Sequence, residues 1–184
     1  MSATQPRVLV AAASKHGATM EMATFLARTL QESAAGQRCG LTAEALPIER
    51  RPDAARYDAV VLASAVYVGR WLEPARHYAA DQVTALRVRP VWLLSSGPIG
   101  EPPFPPDEPH DAGPIAAMVG AQGRRVFPGR LDKRLLTVGE RAMVTAMRAP
   151  LGDFRDWEAL RGWAEEIAAG LRPGTPTAPA TAPS

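Results

Sequence analysis

The chain has a single cysteine, Cys39, and only three histidines among its 184 residues. One thiol cannot form an internal disulfide, and this composition suits a reducing compartment. His16, His77 and His110 lie far apart in the sequence, and no cysteines accompany them at the spacing of metal ligands. We therefore predict no internal disulfide and no metal site.

Long apolar runs are also absent. No stretch approaches the ~20 uncharged apolar residues needed to cross a bilayer, and the N-terminus lacks the charged-then-apolar pattern of a secretory signal. We therefore expect a cytoplasmic protein. The net charge is +2 and the pI is about 9.0. The basic residues are dispersed, which disfavours nucleic-acid binding, but this balance leaves loose contact with the acidic inner face of a membrane open.

Three motifs of nucleotide-binding and hydrolytic proteins are missing. No P-loop lysine follows Gly17, which disfavours a nucleoside triphosphatase. The chain has no Gly-x-Gly-x-x-Gly, which weighs against a dinucleotide site. No Ser-His-Asp or Cys-His set is visible, so we name no catalytic side chain.

Apolar segments of strand length alternate with helical patterns along the chain. With 46% hydrophobic residues, this alternation predicts one α/β domain over residues 1–171, built in three layers with a doubly wound parallel sheet. Residues 172–184, rich in Pro, Thr and Ala, are predicted to be a disordered tail. Strands are expected at Val8–Ala13, Leu41–Ala45, Asp58–Ser64, Val91–Ser95 and Gly123–Phe127, and helices at Thr19–Ser33, Glu73–Leu86, Ile115–Val119, Gly139–Arg148 and from Asp156 onward.

Three loops that follow predicted strands carry the polar residues and glycines of a binding site: Ser14–Thr19, Ser64–Trp71 and Ser95–Gly100. Ligands of open parallel sheets bind beyond the carboxyl ends of the strands, so we expect the three loops to meet. In the first loop the chain crosses one glycine into a helix, an arrangement that stabilises an anion at the helix start. A helix cap without any ligand is the alternative.

These loops resemble the flavodoxin-like family, and within it the branch that contains menaquinone-dependent protoporphyrinogen dehydrogenase. Residues 14–19 match the family's phosphate loop, Ser/Thr-x-x-Gly-x-Thr. Residues 57–71, Tyr-Asp-Ala-Val-Val-Leu-Ala-Ser-Ala-Val-Tyr-Val-Gly-Arg-Trp, match the second loop of the branch closely, and the Ser95-Ser-Gly-Pro segment and the closing Asp-Trp helix are similar. The resemblance implies a five-stranded sheet in the order 2-1-3-4-5 and FMN as the cofactor.

The resemblance also implies which residues hold FMN. The hydroxyls of Ser14 and Thr19, with the backbone N–H groups of His16, Gly17 and Ala18, would bind the phosphate. The complete predicted cofactor site is Ser14, Lys15, His16, Gly17, Ala18, Thr19, Ser64, Ala65, Val66, Tyr67, Val68, Gly69, Arg70, Ser95, Ser96, Gly97 and Pro98.

Three residues of the second loop have distinct expected roles. Tyr67 would stack on the flavin ring, with a packing tyrosine as the alternative. Arg70 would place a cation near the pyrimidine end of the ring, where it favours an anionic reduced flavin, and a solvated loop charge is its alternative. Trp71 is expected to pack in the core.

Three functions stay open at this point. The first is an FMN-dependent oxidoreductase that oxidises a porphyrinogen-type substrate and passes electrons to a quinone, and the second is a one-electron carrier. The basic charge and Arg70 favour the first, because carrier flavodoxins are strongly acidic and a positive site attracts carboxylates. The third is a non-catalytic regulatory or binding module, which Lys15 and Ala18 favour because they depart from the residues common in the family's phosphate loop.

The expected partners are a small redox substrate or a redox partner protein. A quinone at the membrane surface and a homodimer are also compatible with the sequence. The Pro-rich segment at residues 101–110 occupies the place where the enzyme branch carries an insertion implicated in activity, and its composition differs most from that branch.

Overall fold

Five parallel strands form the central sheet of the computed structural model, which describes residues 5–97 and 108–171. The strands of this sheet are β1 (Arg7–Ala13), β2 (Thr42–Pro47), β3 (Ala59–Tyr67), β4 (Arg70–Trp71), β5 (Val91–Ser96) and β6 (Gly123–Phe127). β4 pairs antiparallel with β3, and the parallel strands lie in the order β2-β1-β3-β5-β6. Numbered without the short β4, this order is 2-1-3-4-5, so the predicted α/β sheet is confirmed.

Among the described residues, the next element after β1, β4 and β5 is an α-helix. Between β6 and the last helix, two further short strands, β7 (Arg130–Leu131) and β8 (Gly152–Asp153), pair as an antiparallel ribbon. The helices of the described residues are α1 (Ala18–Glu32), α2 (Ala34–Cys39), α3 (Glu73–Asp81), α4 (Val83–Leu86), α5 (Ala112–Val119), α6 (Val138–Ala146) and α7 (Trp157–Gly170), with 3-10 turns at Ile48–Arg50, Ala54–Arg56 and Lys133–Leu135.

The sheet separates two apolar cores, because side chains along a strand point alternately to its two faces. On one face, Val8 and Val10 of β1 share a core with Leu26 of α1 and Trp163 of α7. On the other face, Leu9 shares a core with residues of α3, α4 and α5. Burial of the inner strands on both faces is what an all-parallel sheet requires, and it produces the predicted three layers.

The loop predicted at residues 65–70 is a β-hairpin. β3 continues to Tyr67 and returns through Val68 and Gly69, so that Arg70 pairs with Tyr67. Both turn residues have positive φ, 50° for Val68 and 71° for Gly69, as a two-residue type I′ turn requires. The sequence carries no signal for this turn, because a β-branched residue is unfavourable at positive φ.

One predicted helix is divided in the structure. Residues 73–86 form α3 and α4, which meet at Gln82, instead of one helix. The side-chain oxygen of Gln82 accepts a hydrogen bond from the backbone N–H of Ala54 at 3.1 Å, a contact between distant residues that periodicity does not reveal. Most of the Pro-rich segment and the whole predicted tail at residues 172–184 lie outside the described residues.

We predict that Val68→Asn stabilises the protein. A residue other than glycine in the left-handed region costs about 1–2 kcal/mol, and asparagine tolerates this region better than valine. Val68 is exposed, so the substitution removes little packing. We expect the free energy of unfolding in urea to rise by about 1 kcal/mol.

Val88→Asn is the matched control, because Val88 is also exposed and does not have positive φ. We expect that change to leave stability within about 0.5 kcal/mol of wild type. Equal effects of the two substitutions would contradict a strained turn at Val68.

Candidate functional site

A cavity of about 320 Å³ opens at the carboxyl edge of the sheet. Three neighbouring strands are in register there, since Ala13 pairs with Ser64 and Ser64 pairs with Ser95. All three predicted loops contribute to its lining: Ser14, Lys15, His16, Ala18 and Thr19 from the first, residues 65–69 from the second, and Ser96 and Gly97 from the third. The tertiary structure therefore brings most of the predicted site residues together.

The first loop leaves hydrogen-bonding groups without protein partners beside the cavity. The Ser14 hydroxyl is buried and has no hydrogen-bond partner among residues 5–97 and 108–171. Gly17 precedes α1 with φ of 84°, and no side chain caps the helix. A Cβ atom built on Gly17 would meet nothing within 4 Å. A helix start of this kind attracts an anion, so this loop has the donors and the free space that a phosphate group requires.

The second loop provides an aromatic wall. The Tyr67 hydroxyl donates a hydrogen bond of 2.8 Å to Oε1 of Glu140, and the Lys15 ammonium lies 4.3 Å from the centre of the Tyr67 ring. Burial and the nearby Glu140 carboxylate raise the pKa of Tyr67 well above its usual range. Tyr67 is therefore held in one orientation as a neutral phenol.

Arg70 lies outside the lining of this cavity. Its guanidinium forms an ion pair with Asp111, with 3.1 Å between Nη2 and Oδ1, and Asp111 also accepts a hydrogen bond from the backbone N–H of Trp71. Arg70 therefore has a partner within the protein, at the start of α5. Its placement beside the flavin ring stays a prediction.

Two predicted serines lie behind the cavity wall, not on it. Ser64 donates to the carbonyl of Ala65 and accepts from the backbone N–H of Leu72. Ser95 accepts a hydrogen bond of 2.8 Å from the indole N–H of Trp71, which is buried as predicted. Both hydroxyls therefore have partners within the protein, and their hydrogen bonds hold the hairpin and helix α3 to the sheet. Pro98 lies outside the described residues.

The opposite wall comes from residues that sequence reasoning missed. Gly129, Arg130 and Leu131 follow β6, and Met143, Val144, Met147 and Ala149 belong to α6 and the turn after it. The only available signal was the apolar pair Met143 and Met147 at helical spacing. That spacing predicts a helix but does not say what the helix packs against.

Glu140 of α6 connects this wall to the first two loops. Its carboxylate forms an ion pair with Lys15 and accepts from Tyr67, and His16 Nε2 lies 3.4 Å away. Its second oxygen accepts from the backbone N–H of Thr137 at 2.8 Å, which completes a capping box at the start of α6. Lys15 first, then the N–H of Thr137 and the Tyr67 hydroxyl, hold the pKa of Glu140 well below its usual 4.5.

A family model described as a flavodoxin domain matches residues 9–157 of this sequence, which is most of the chain. The chain belongs to the flavodoxin domain family. No curated protein matches the sequence, and the comparisons do not single out the porphyrinogen dehydrogenase branch, so the resemblance is supported at the level of the family.

Solved structures share the fold of this flavodoxin domain at low sequence identity. A flavodoxin from the domain Archaea matches with a TM-score of 0.60 and 10% identity, covering 89% of this chain and 97% of its own. Oxidised flavodoxin 1 from Bacillus cereus matches with a TM-score of 0.60 and 14% identity, and the match covers 90% of this chain and 99% of the flavodoxin. An NADH:FMN oxidoreductase in its apo form matches with a TM-score of 0.55 and 9% identity, and the match covers 91% of this chain and 90% of the oxidoreductase.

Membership of the flavodoxin domain family indicates FMN as the cofactor, in agreement with the prediction. The donors of the first loop fit its phosphate, since the Ser14 hydroxyl lacks a partner and α1 lacks a side-chain cap. Among residues 5–97 and 108–171, no helix is long and apolar enough to cross a membrane.

We predict that Glu140 contributes to acid denaturation. Because its pKa is lower in the folded protein, its contribution to stability is present above its ordinary pKa of about 4.5 and is lost as the pH falls through the folded value. Glu140→Gln should therefore be less stable than wild type at pH 7, and the difference should shrink between pH 5 and pH 2, measured by urea unfolding.

The exposed Glu49 offers a matched control. Glu49→Gln should follow the wild-type curve over the same range, since Glu49 lies on the surface. A constant difference between Glu140→Gln and wild type at every pH would contradict a folded-state carboxylate held in its charged form.

Proposed function

We propose that this flavodoxin domain binds FMN in the cavity between the first loop and α6 and acts as an FMN-dependent oxidoreductase. The single observation that carries FMN binding is the buried Ser14 hydroxyl without a partner, placed beside an uncapped helix start. A buried hydroxyl that lacks a hydrogen bond destabilises the protein, so its retention here supports a ligand that accepts from it.

Different residues of the proposed site hold the two ends of FMN. Ser14, the N–H groups of residues 16–18 and Thr19 hold the phosphate, while Ala65–Gly69, Ser96 and Gly97 line the place of the ring. Gly97 has no room for a side chain, because a Cβ atom there would lie 2.6 Å from Cβ of Val66. When bound, FMN supplies the electron-accepting chemistry, and the protein supplies binding, orientation and electrostatics.

Two observations favour an oxidoreductase over a one-electron carrier. The chain carries a net charge of +2, which suits an anionic substrate better than the docking of a basic partner protein. In addition, Met143, Val144 and Met147 give the cavity an apolar outer wall, which shields the reacting part of the site from water and suits a small apolar or planar substrate.

The substrate to test first is a carboxylate-bearing porphyrinogen with a quinone as acceptor, on the strength of the second-loop motif at residues 57–71. The alternative is an electron carrier that exchanges single electrons with a redox partner protein, which the coverage of 97% and 99% of two flavodoxin chains favours. A regulatory module that binds no flavin is the third possibility.

We predict opposite effects of Ser14→Ala on the two states of the protein. FMN affinity should fall by about tenfold or more, since hydrogen bonds to charged groups contribute about 1.5–3 kcal/mol. The protein without FMN should be equally or more stable, because a buried hydroxyl without a partner is removed. Flavin fluorescence quenching and urea unfolding measure the two quantities.

Thr24→Ala on the exposed face of α1 is the control, and it should leave FMN affinity unchanged. If Ser14→Ala lowered the stability of the unliganded protein and did not affect FMN binding, the hydroxyl would be structural.

The enzymatic part of the proposal predicts multiple turnover. FMN-loaded protein should oxidise excess porphyrinogen in the presence of a soluble quinone, with two electrons transferred per cycle, measured anaerobically by porphyrin fluorescence. Electron exchange with a one-electron partner protein, but no turnover of the small substrate, would favour the carrier. A protein that does not bind FMN would favour the regulatory module.

A further inference from the structure

Arg130 is a cation that lines the cavity on the wall formed by residues 129–131 and α6. It lies directly after Gly129, whose Cβ position is 3.6 Å from the backbone nitrogen of Gly97. Its guanidinium reaches α1 and pairs with Glu21, with 3.1 Å from Nη2 to Oε1. Glu21 belongs to the first turn of α1, and its N–H donates to the carbonyl of Gly17. Arg130 therefore lies beside the start of the helix that follows the phosphate loop.

This position is electrostatically unfavourable for a cation by itself. The N-terminus of a helix carries a partial positive charge, which stabilises anions and disfavours cations. Glu21 offsets the charge of Arg130 in the first turn. A bound anion at the helix start would interact favourably with both the helix and Arg130.

Glu21 does not depend on Arg130 for its charge partner. Arg155 approaches Glu21 at 2.6 Å, its side chain is only 5% exposed, and it is further held by Asp153 and by the face of the Trp157 ring. The hydrogen bond from Arg155 is the main reason that the pKa of Glu21 is lowered. Arg130 can therefore leave Glu21 without leaving that carboxylate without a cation.

Lys15, the cation within the loop itself, is in the opposite situation. Lys15 pairs with Glu140, whose side chain is only 8% exposed. The other basic side chain in contact with Glu140 is that of His16, which is charged only when protonated. Transfer of Lys15 to another anion would leave a buried carboxylate without a permanent cation, which is costly. Of these two cations, Arg130 is therefore the one that can bind an anionic ligand without leaving its present carboxylate partner unpaired.

We infer that Arg130 is a specificity-determining residue that binds the phosphate group of FMN and makes the protein prefer FMN over riboflavin. This inference rests on the proposed FMN site. In this site the neutral donors of residues 14–19 provide hydrogen bonds to the phosphate, and Arg130, in the segment after β6, provides the positive charge.

The test compares two flavins that differ only in the phosphate. Dissociation constants of FMN and riboflavin are measured by fluorescence quenching for wild type, Arg130→Gln and Arg130→Lys, at low and high salt. Arg130→Gln should weaken FMN binding by about tenfold or more and change riboflavin binding by less than about twofold. Arg130→Lys should restore part of the loss, and the preference for FMN should decrease with added salt.

Glu21→Gln separates ligand binding from a structural role. If Arg130 serves the phosphate, removal of the competing carboxylate should maintain or increase FMN affinity. If Arg130 only anchors Glu21, Glu21→Gln should reproduce the loss seen in Arg130→Gln. Arg134→Gln is the control, because Arg134 is exposed, pairs with Asp132 and does not line the cavity.

The outcomes distinguish the inference from the function on which it rests. Equal losses of FMN and riboflavin in Arg130→Gln, or no loss of either, would overturn the role of Arg130 while leaving FMN binding intact. Wild-type protein that binds neither flavin would overturn the proposed function and this inference with it.

Discussion

The parallel pairing of β1, β3 and β5 is the constraint on which the rest of this structure depends. Crossover connections between parallel strands place helices on the faces of the sheet, and the carboxyl ends of the strands then lie along one edge. The level pairing of Ala13, Ser64 and Ser95 places the next residue of each strand at the mouth of the cavity. The phosphate loop, the hairpin and the start of the third loop meet for this reason.

A second constraint is the carboxylate of Glu140. A buried charge is tolerated when it is paired and fully hydrogen-bonded, and Glu140 meets this condition with Lys15, Tyr67 and Thr137. These contacts fasten α6 to two of the loops at the sheet edge. They give the cavity a second wall that the sheet and its flanking helices do not provide, and they hold Tyr67 and Lys15 in place.

The sequence predicted much of the fold and 12 of the 19 residues that line the cavity. The apolar runs were sufficient for a parallel α/β sheet and the glycine at residue 17 for the first loop, while the sheet order followed from the resemblance to the flavodoxin-like family. The wall formed by Arg130, Met143 and Met147 was not predictable in the same way. Its residues lie in a helix and a short ribbon whose placement depends on contacts with residues 73 and 109 positions earlier.

The sequence by itself determined the α/β fold class through short-range periodicity and the anion-binding chemistry of the first loop through the residues at a strand end, and its resemblance to the flavodoxin-like family implied the strand order. Only the tertiary structure decided which polar groups remain available to a ligand. Ser64, Ser95 and Arg70 are polar residues in the right loops, yet each is satisfied by a protein partner. Ser14 is left without a partner, because hydrogen bonding is settled by three-dimensional neighbours and not by residue type.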